Sequence, residues 1–365
     1  MTASMTRFVI DKSDLRKAKT LSAPLPDLQP GEILLKVDSF AFTANNITYA
    51  ELGERMAYWN FFPAGNGQES NLGVVPVWGF ADVTDSRHEA IGPGERIFGF
   101  FPMATHAVLQ PVKLTDNSFV DATEHRKALP PAYNFYVRTT GDAAFLPDRE
   151  GLQALLRPLF ITAFLIDDFL ADEDFFGAGQ VILSSASSKT AFGLAWLLRR
   201  RGKTEVIGLT SAGNRAFVEG LGCYDRVLLY DDIAKLNATK PAVYVDFAGS
   251  AAVRTTIHQH FGEALKYSCA VGLSHREMNP PGKNLPGPKP VFFFAPDRIK
   301  KRTQDWGRGG IDTRFGDAMG DFLPHAGKWL TVIEGSGAAS VEAAWQATLA
   351  GQAKPDEGQM LSLWE

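Results

Sequence analysis

Through residue 150, short runs of apolar and β-branched residues alternate with turn residues: GEILLKVDSFAF, VPVWGFADVTDS, GERIFGFFP and MATHAVLQP. Runs of this length bounded by Gly, Pro and Asp predict a β-rich domain. From Glu150 the period changes. GLQALLRPLFITAFLIDDFLA carries apolar residues at helical spacing, with no glycine between Gly151 and Gly177, and predicts one long helix leading into a second domain. Six apolar runs follow, VILSS, EVIGLT, RVLLY, AVYVDFAG, LKYSCAVG and VFFFAP, separated by helical segments. Strands alternating with helices predict a doubly wound parallel sheet, and continuous apolarity is that of strands covered on both faces. Periodicity leaves their spatial order open. Between the fifth and sixth runs, HREMNPPGKNLPGPKP is too rich in Pro and Gly for regular structure; it is expected to be a lid or a linker, placed where ligands meet such sheets. The expected layout is a first domain over 1–150, completed by about 300–365, and a second over 151–299.

With 365 residues and 45% apolar content, the chain can bury a large core and is expected to form two domains. The net charge of −4, from 37 basic and 41 acidic residues, gives no broad field for a polyanion or an anionic membrane, so no nucleic acid is expected as partner. MTASMTRFVIDKSDLRK lacks the apolar core of a secretory signal, and the run from Leu159 to Ile166 is too short to span a bilayer. A cytoplasmic protein that enters no membrane is expected. Cys223 and Cys269 are the two cysteines and have no CxxC spacing, so neither a disulfide framework nor a cysteine zinc site is expected.

The stretch 180-QVILSSASSKTAFGLAWLLRRRG-202 has the layout of a nucleotide-binding turn. Gln180 to Ser185 predicts a strand and Thr190 to Arg201 a helix, so Ala186 to Lys189 would place amides at a helix N-terminus, which attracts anions. Ser185, Ser187 and Ser188 add hydroxyl donors and Lys189 a charge; the alternative is a serine-rich helix cap. A kinase-type phosphate loop is excluded by spacing, because Leu183 and Ser188 stand where its glycines belong. The second strand ends in 206-VIGLTSAGNR-215, without the acid that grips the ribose hydroxyls of NAD. Thr210, Ser211 and Arg215 suit a phosphate instead, and predict NADP(H); the alternative is a solvated turn.

The order of these segments resembles the medium-chain dehydrogenase/reductase superfamily, and within it the zinc-independent quinone and enoyl reductases. GEILLKVDSFAFTANNITYAELGE and IGPGERIFGFFPMATHAVLQP look like the segments that open and close the catalytic domain, LLRPLFITAFLIDDF like the helix carrying PLAGLTAYLAL, and VILSSASSKTAFGLA like VLVxGAxGGVGxAAxxLA. Ser185, Ser188, Lys189 and Ala191 stand at the usual glycines, which departs from the family pattern. GLTSAGNRAFVEGLGCYDRVLLY is similar to GTTSxxEKxxxxxxLGADxVIxY, with Arg215 at its basic position and Tyr230 at its tyrosine. VDFAGS looks like DxVGG and CAVG like the strand whose glycine nears the nicotinamide. The resemblance implies a GroES-like β-rich catalytic domain plus a Rossmann-type six-stranded parallel sheet. It further implies an NADP(H) site including Thr190, Ala248 and Gly272, and a homodimer. WGFADV, ASSKTA, GLTS and VDFAG mark an outlying branch.

Zinc-dependent relatives need cysteine, histidine and carboxylate ligands that the segments around Asn45 and 65-GNGQESNLG-73 do not offer, so no metal is expected. Metal-free members send hydride to an enone, quinone or enoyl thioester, and the enolate formed needs a proton donor or oxyanion stabiliser. Tyr49 and Tyr58, in 45-NNITYAELGERMAYWNFFP-63, are the candidate donors; the alternative is an aromatic cluster under a loop. Asn45 either orients substrate or cofactor amide, or caps a loop. His106 is expected in a structural role, and Arg138 is a weaker candidate for meeting an anionic substrate. The competing function is a sensor that binds NADPH without redox turnover.

Overall fold

The computed structural model describes residues 4–65, 69–142, 144–271, 285–307 and 309–365. Two compact units divide the chain: Met1–Leu155 with Ala326–Glu365, and Leu156–His325.

In the first unit, the strands Ile33–Phe42, Pro76–Ser86 and Arg96–Pro102 pair antiparallel, with Val37 opposite Ala81 and Phe80 opposite Phe98. Phe135–Arg138 and Ser118–Asp121 extend the sheet on one side. On the other, Glu357–Ser362 pairs with Ile33–Phe42, and Thr331–Ser336 runs parallel to Glu357–Ser362. These last two strands are joined through the helix Gly337–Leu349, as a parallel pair requires a crossover. Its Trp345 is fully buried against Phe8 and Phe42, and its indole N–H donates to the Leu15 carbonyl at 2.8 Å. Residue 79 in WGFADV is glycine for a steric reason: a Cβ there would stand 2.2 Å from the Ser39 carbonyl oxygen on the neighbouring strand.

In the second unit, the strands lie in the order Arg226–Leu229, Glu205–Thr210, Gln180–Leu183, Ala242–Asp246, Leu265–Ala270, Val291–Phe292, all parallel. In chain order that is 3-2-1-4-5-6, the doubly wound arrangement. Every residue of Gln180–Leu183 and Ala242–Asp246 is buried, which is why these runs are apolar without alternation. The reversal of strand order falls between these two strands, and such folds receive ligands at the carboxyl ends beside it.

The long helix spans Glu150–Asp172. Its Asp167 pairs with Arg201 at 2.7 Å, and its Asp168 accepts from Arg298 at 2.5 Å and Arg302 at 2.7 Å. Buried charges are thus matched within the unit. Cys223 and Cys269 are free and buried, and burial pushes both thiols up to about 12. Among the described residues, no helix is long and apolar enough to cross a membrane.

Candidate functional site

At the carboxyl end of Gln180–Leu183, the turn 184–188 is tied from three sides. Ser184, fully buried, donates its hydroxyl to Asp246 Oδ1 at 3.0 Å and accepts from the amides of Phe247 at 2.9 Å and Ala248 at 3.0 Å. Ser185 adopts φ 49°, the left-handed region that favours glycine. Its amide donates to the Tyr230 hydroxyl at 2.9 Å. The Ala186 amide donates to the Leu209 carbonyl and the Ser188 amide to the Ser185 carbonyl. Beneath the turn, Tyr224 donates to the Ala186 carbonyl at 2.9 Å, against Gly208, where a Cβ would meet the Tyr224 ring at 2.8 Å.

Two of the amides assigned from the sequence to anion binding, those of Ala186 and Ser188, are therefore bonded within the protein, as is the Ser185 amide before them. Ser188 acts as the N-cap of Lys189–Arg201, its oxygen accepting from the Ala191 amide at 3.3 Å. Ser187 keeps a proton to give, because its hydroxyl oxygen accepts from Asn214 at 3.2 Å. Lys189 and Thr190 open the helix and are half-buried. Among the described residues, the amides of Ser187 and Thr190 carry none of these internal bonds.

At the end of the second strand, Thr210 is 1% exposed and its hydroxyl has no protein partner, an orphaned buried polar atom beside the turn's strand. Ser211 and Arg215 are exposed. Arg215 donates to Glu219 at 2.8 Å, and Asp232 also acts on it, so the corner holds acidic groups that the strand end alone did not reveal. They come from the following helix and from the turn after the third strand. Ala248 sits on the loop bound by Ser184; Gly272 and most of the expected lid lie outside the described residues. These side chains fit a dinucleotide in part: a capped helix N-terminus, an orphaned hydroxyl and a guanidinium are present, but Tyr230 holds the Ser185 amide.

In the first unit, Thr43 caps the helix Ala44–Glu51 in a capping box with Asn46. Asn46 is buried and donates to the Pro76 carbonyl at 3.0 Å, while Asn45 is exposed. The capping role open to Asn45 thus belongs to its neighbour. Tyr49 and Tyr58 stack with ring centroids 4.5 Å apart, and the Tyr58 and Tyr133 hydroxyls lie 3.1 Å apart. Phe61, Phe100 and Trp78 complete the cluster. Burial pushes all three phenols above their ordinary value; the Trp78 indole partly offsets this at Tyr49 and the Tyr58 hydroxyl at Tyr133, whereas the Tyr133 hydroxyl raises Tyr58 further. Arg138 is bound to Glu95 at 2.8 Å, and His106 rests edge-on against Trp364.

A family model described as "Protein of unknown function (DUF2855)" matches residues 40–354. The chain belongs to the DUF2855 family. No curated protein matches it. Among solved structures, this DUF2855 chain is similar to the quinone oxidoreductase from Coxiella burnetii, with TM-score 0.56 and 12% identity over 98% of this chain and 99% of that one. It is similar to Etr1p in complex with NADP and crotonyl-CoA, with TM-score 0.60 and 12% identity over 99% of this chain and 100% of that one. CurA with NADPH from Vibrio vulnificus gives 0.59 and 13%, over 98% of each chain. The fold is thus the one these structures share, a GroES-like β-rich domain plus a Rossmann-type sheet. Ser184, Asp246, Tyr224, Tyr133, Trp78 and Phe100 are among the members of these two clusters that sequence reasoning missed; Ser184 could have been found as the inward-facing residue of the strand-end Ser-Ser pair.

Proposed function

We propose that this protein is an NADP(H)-dependent oxidoreductase that adds hydride to an activated double bond or carbonyl, in an enone, a quinone or an enoyl-type substrate. The observation that carries the proposal is the orphaned Thr210 hydroxyl beside a capped helix at the switch point of a doubly wound sheet. Relatives in fold are described as a quinone oxidoreductase and an enoyl thioester reductase, and Etr1p and CurA are described in complexes with NADP and NADPH.

On this proposal, the Ser187 hydroxyl and the Ser187 and Thr190 amides face the pyrophosphate, with Lys189 adding charge. Arg215 exchanges Glu219 for the 2′-phosphate, a cheap exchange for an exposed pair. Thr210 and Ser211 hydroxyls face the adenosine ribose, and Tyr230, Ala248 and Gly272 belong to the same site. The bound cofactor supplies the hydride. Tyr49 and Tyr58 are the candidate proton donors to the enolate, Asn45 an orienting group, and the route needs no zinc. The protein is proposed to act in the cytoplasm.

Loss of NADPH absorbance on adding small enones and quinones tests the proposal; tight NADPH binding with no turnover across a broad acceptor panel would defeat the reductase. The alternative is an NADPH-binding sensor without redox turnover, and that same outcome would identify it.

We also propose a homodimer. Val291–Phe292 forms an edge of the six-stranded sheet, and Val291, Phe292 and Phe294 are exposed there. A monomeric mass by light scattering would remove this proposal.

A further inference from the structure

The tyrosine cluster holds one hydroxyl pair that aromatic packing does not explain. Tyr133 is tilted against Phe100 at 4.7 Å and edge-on to Phe61 at 5.3 Å, contacts that a phenylalanine would make equally well. Its hydroxyl nonetheless lies 3.1 Å from that of Tyr58, seventy-five residues away in sequence. Two independent devices hold the pair in register.

On one side, the Tyr133 carbonyl accepts from Arg126 at 3.1 Å. That guanidinium is 1% exposed and is itself held by Asp121 at 2.9 Å and by the Tyr136 hydroxyl at 2.9 Å. Asp121 is fixed in turn by the amides of Gln110 and Thr123 and by the Thr123 hydroxyl. A buried ion pair with this many satisfied hydrogen bonds is a rigid support. On the other side, Tyr58 follows Ala57, which sits in the left-handed region at φ 57°, ψ 26°. A residue with a Cβ adopts that conformation at a cost of about 1 kcal/mol or more, and strain of this kind persists where a side chain must be aimed.

Either hydroxyl of this pair can be the donor, and a phenol in apolar surroundings gives up its proton readily only when a second donor faces the oxygen left behind. We propose that Tyr133 is a positioning residue of the reduction: its hydroxyl orients Tyr58 and donates to the Tyr58 oxygen while Tyr58 protonates the enolate left by hydride addition. The O–H bond of Tyr58 breaks, a C–H or O–H bond forms on the substrate, and the phenolate, held by the Tyr133 O–H, takes its proton back from water. The inference rests on the proposed reductase function and names its proton donor as Tyr58 rather than Tyr49.

Tyr133→Phe removes the hydroxyl and keeps the ring. The kinetics of Tyr133→Phe, Tyr58→Phe and the double variant are measured with NADPH and an enone, in water and in deuterium oxide. Tyr133→Phe should lower kcat roughly 10- to 100-fold, part of the effect of a positioned acid, with KM within about twofold and a solvent isotope effect larger than that of the unaltered enzyme. The double variant should lose no more than Tyr58→Phe alone, because the two hydroxyls act as one unit. An unchanged kcat and isotope effect for Tyr133→Phe, or a double loss equal to the product of the single losses, overturns the inference while leaving the reductase standing. An unaltered protein that reduces no acceptor overturns both.

Discussion

The Tyr230 hydroxyl accepts the amide hydrogen of Ser185 at 2.9 Å, and Ser185 holds a left-handed φ of 49° where the nucleotide-binding turn of related folds has glycine. The hydrogen bond stabilises a conformation that serine disfavours. It also turns one backbone donor toward the protein, so an anion here must be met by the neighbouring Ser187 and Thr190 amides and by hydroxyls.

Tyr230→Phe leaves the Ser185 amide without its acceptor at a half-buried position. Stability should fall by about 1 kcal/mol. Ser185→Gly relieves the left-handed strain and should raise stability by about 0.5 kcal/mol after the entropy of glycine is counted. Urea denaturation of both variants checks these signs.

Ser184 joins two strand ends through one hydroxyl, giving to Asp246 and receiving from Phe247 and Ala248. Ser184→Ala removes a fully buried hydroxyl and leaves the half-buried Phe247 and Ala248 amides without their acceptor, and should cost about 2 kcal/mol. Ser185→Ala keeps the amide bond to Tyr230 and should cost under about 1 kcal/mol. Equal losses in thermal or urea unfolding would contradict the assignment of the buried role to Ser184.

His258 is fully buried, with Nδ1 3.0 Å from the Pro286 carbonyl and Nε2 3.0 Å from the Ser268 hydroxyl. The carbonyl can only accept, so Nδ1 carries the hydrogen and Nε2 accepts from Ser268. Burial pushes the imidazole below its ordinary 6.5, against the Pro286 contact, while Arg254 lowers it further and Asp246 raises it. Between the lowered value and 6.5 the unfolded chain binds a proton that the folded protein does not, so stability is fully present above 6.5 and falls as pH drops below it. The slope should approach about 1.4 kcal/mol per pH unit and flatten in His258→Gln; denaturation midpoints at several pH values measure it.

Much of the fold was legible because burial writes itself into the chain. AVYVD and QVIL are apolar without alternation since helices cover both faces, and GEILLKVDSFAF alternates less cleanly because both sides of its strand carry core residues. Strand order was not legible, since it depends on contacts distant in sequence. Within the turn, SSASSKT suits a phosphate site and also a helix cap, and only the partners of each atom separate Ser184 and Ser188, which hold the protein together, from Ser187. Asn45 and Asn46 differ by one helical position, which decides exposure and is invisible in composition. Tyr133 was hidden because its partner lies seventy-five residues earlier.

We propose that the turn after Gln180–Leu183, with Thr210 and Arg215, holds the dinucleotide by both of its phosphate groups. Titration of the purified protein with NADPH and NADH, followed by calorimetry or nicotinamide fluorescence, tests it most directly. NADPH should bind at least about tenfold more tightly than NADH, a difference of about 1.4 kcal/mol, and Arg215→Ala should remove most of that preference. Equal affinities, or no binding of either nucleotide, would contradict it.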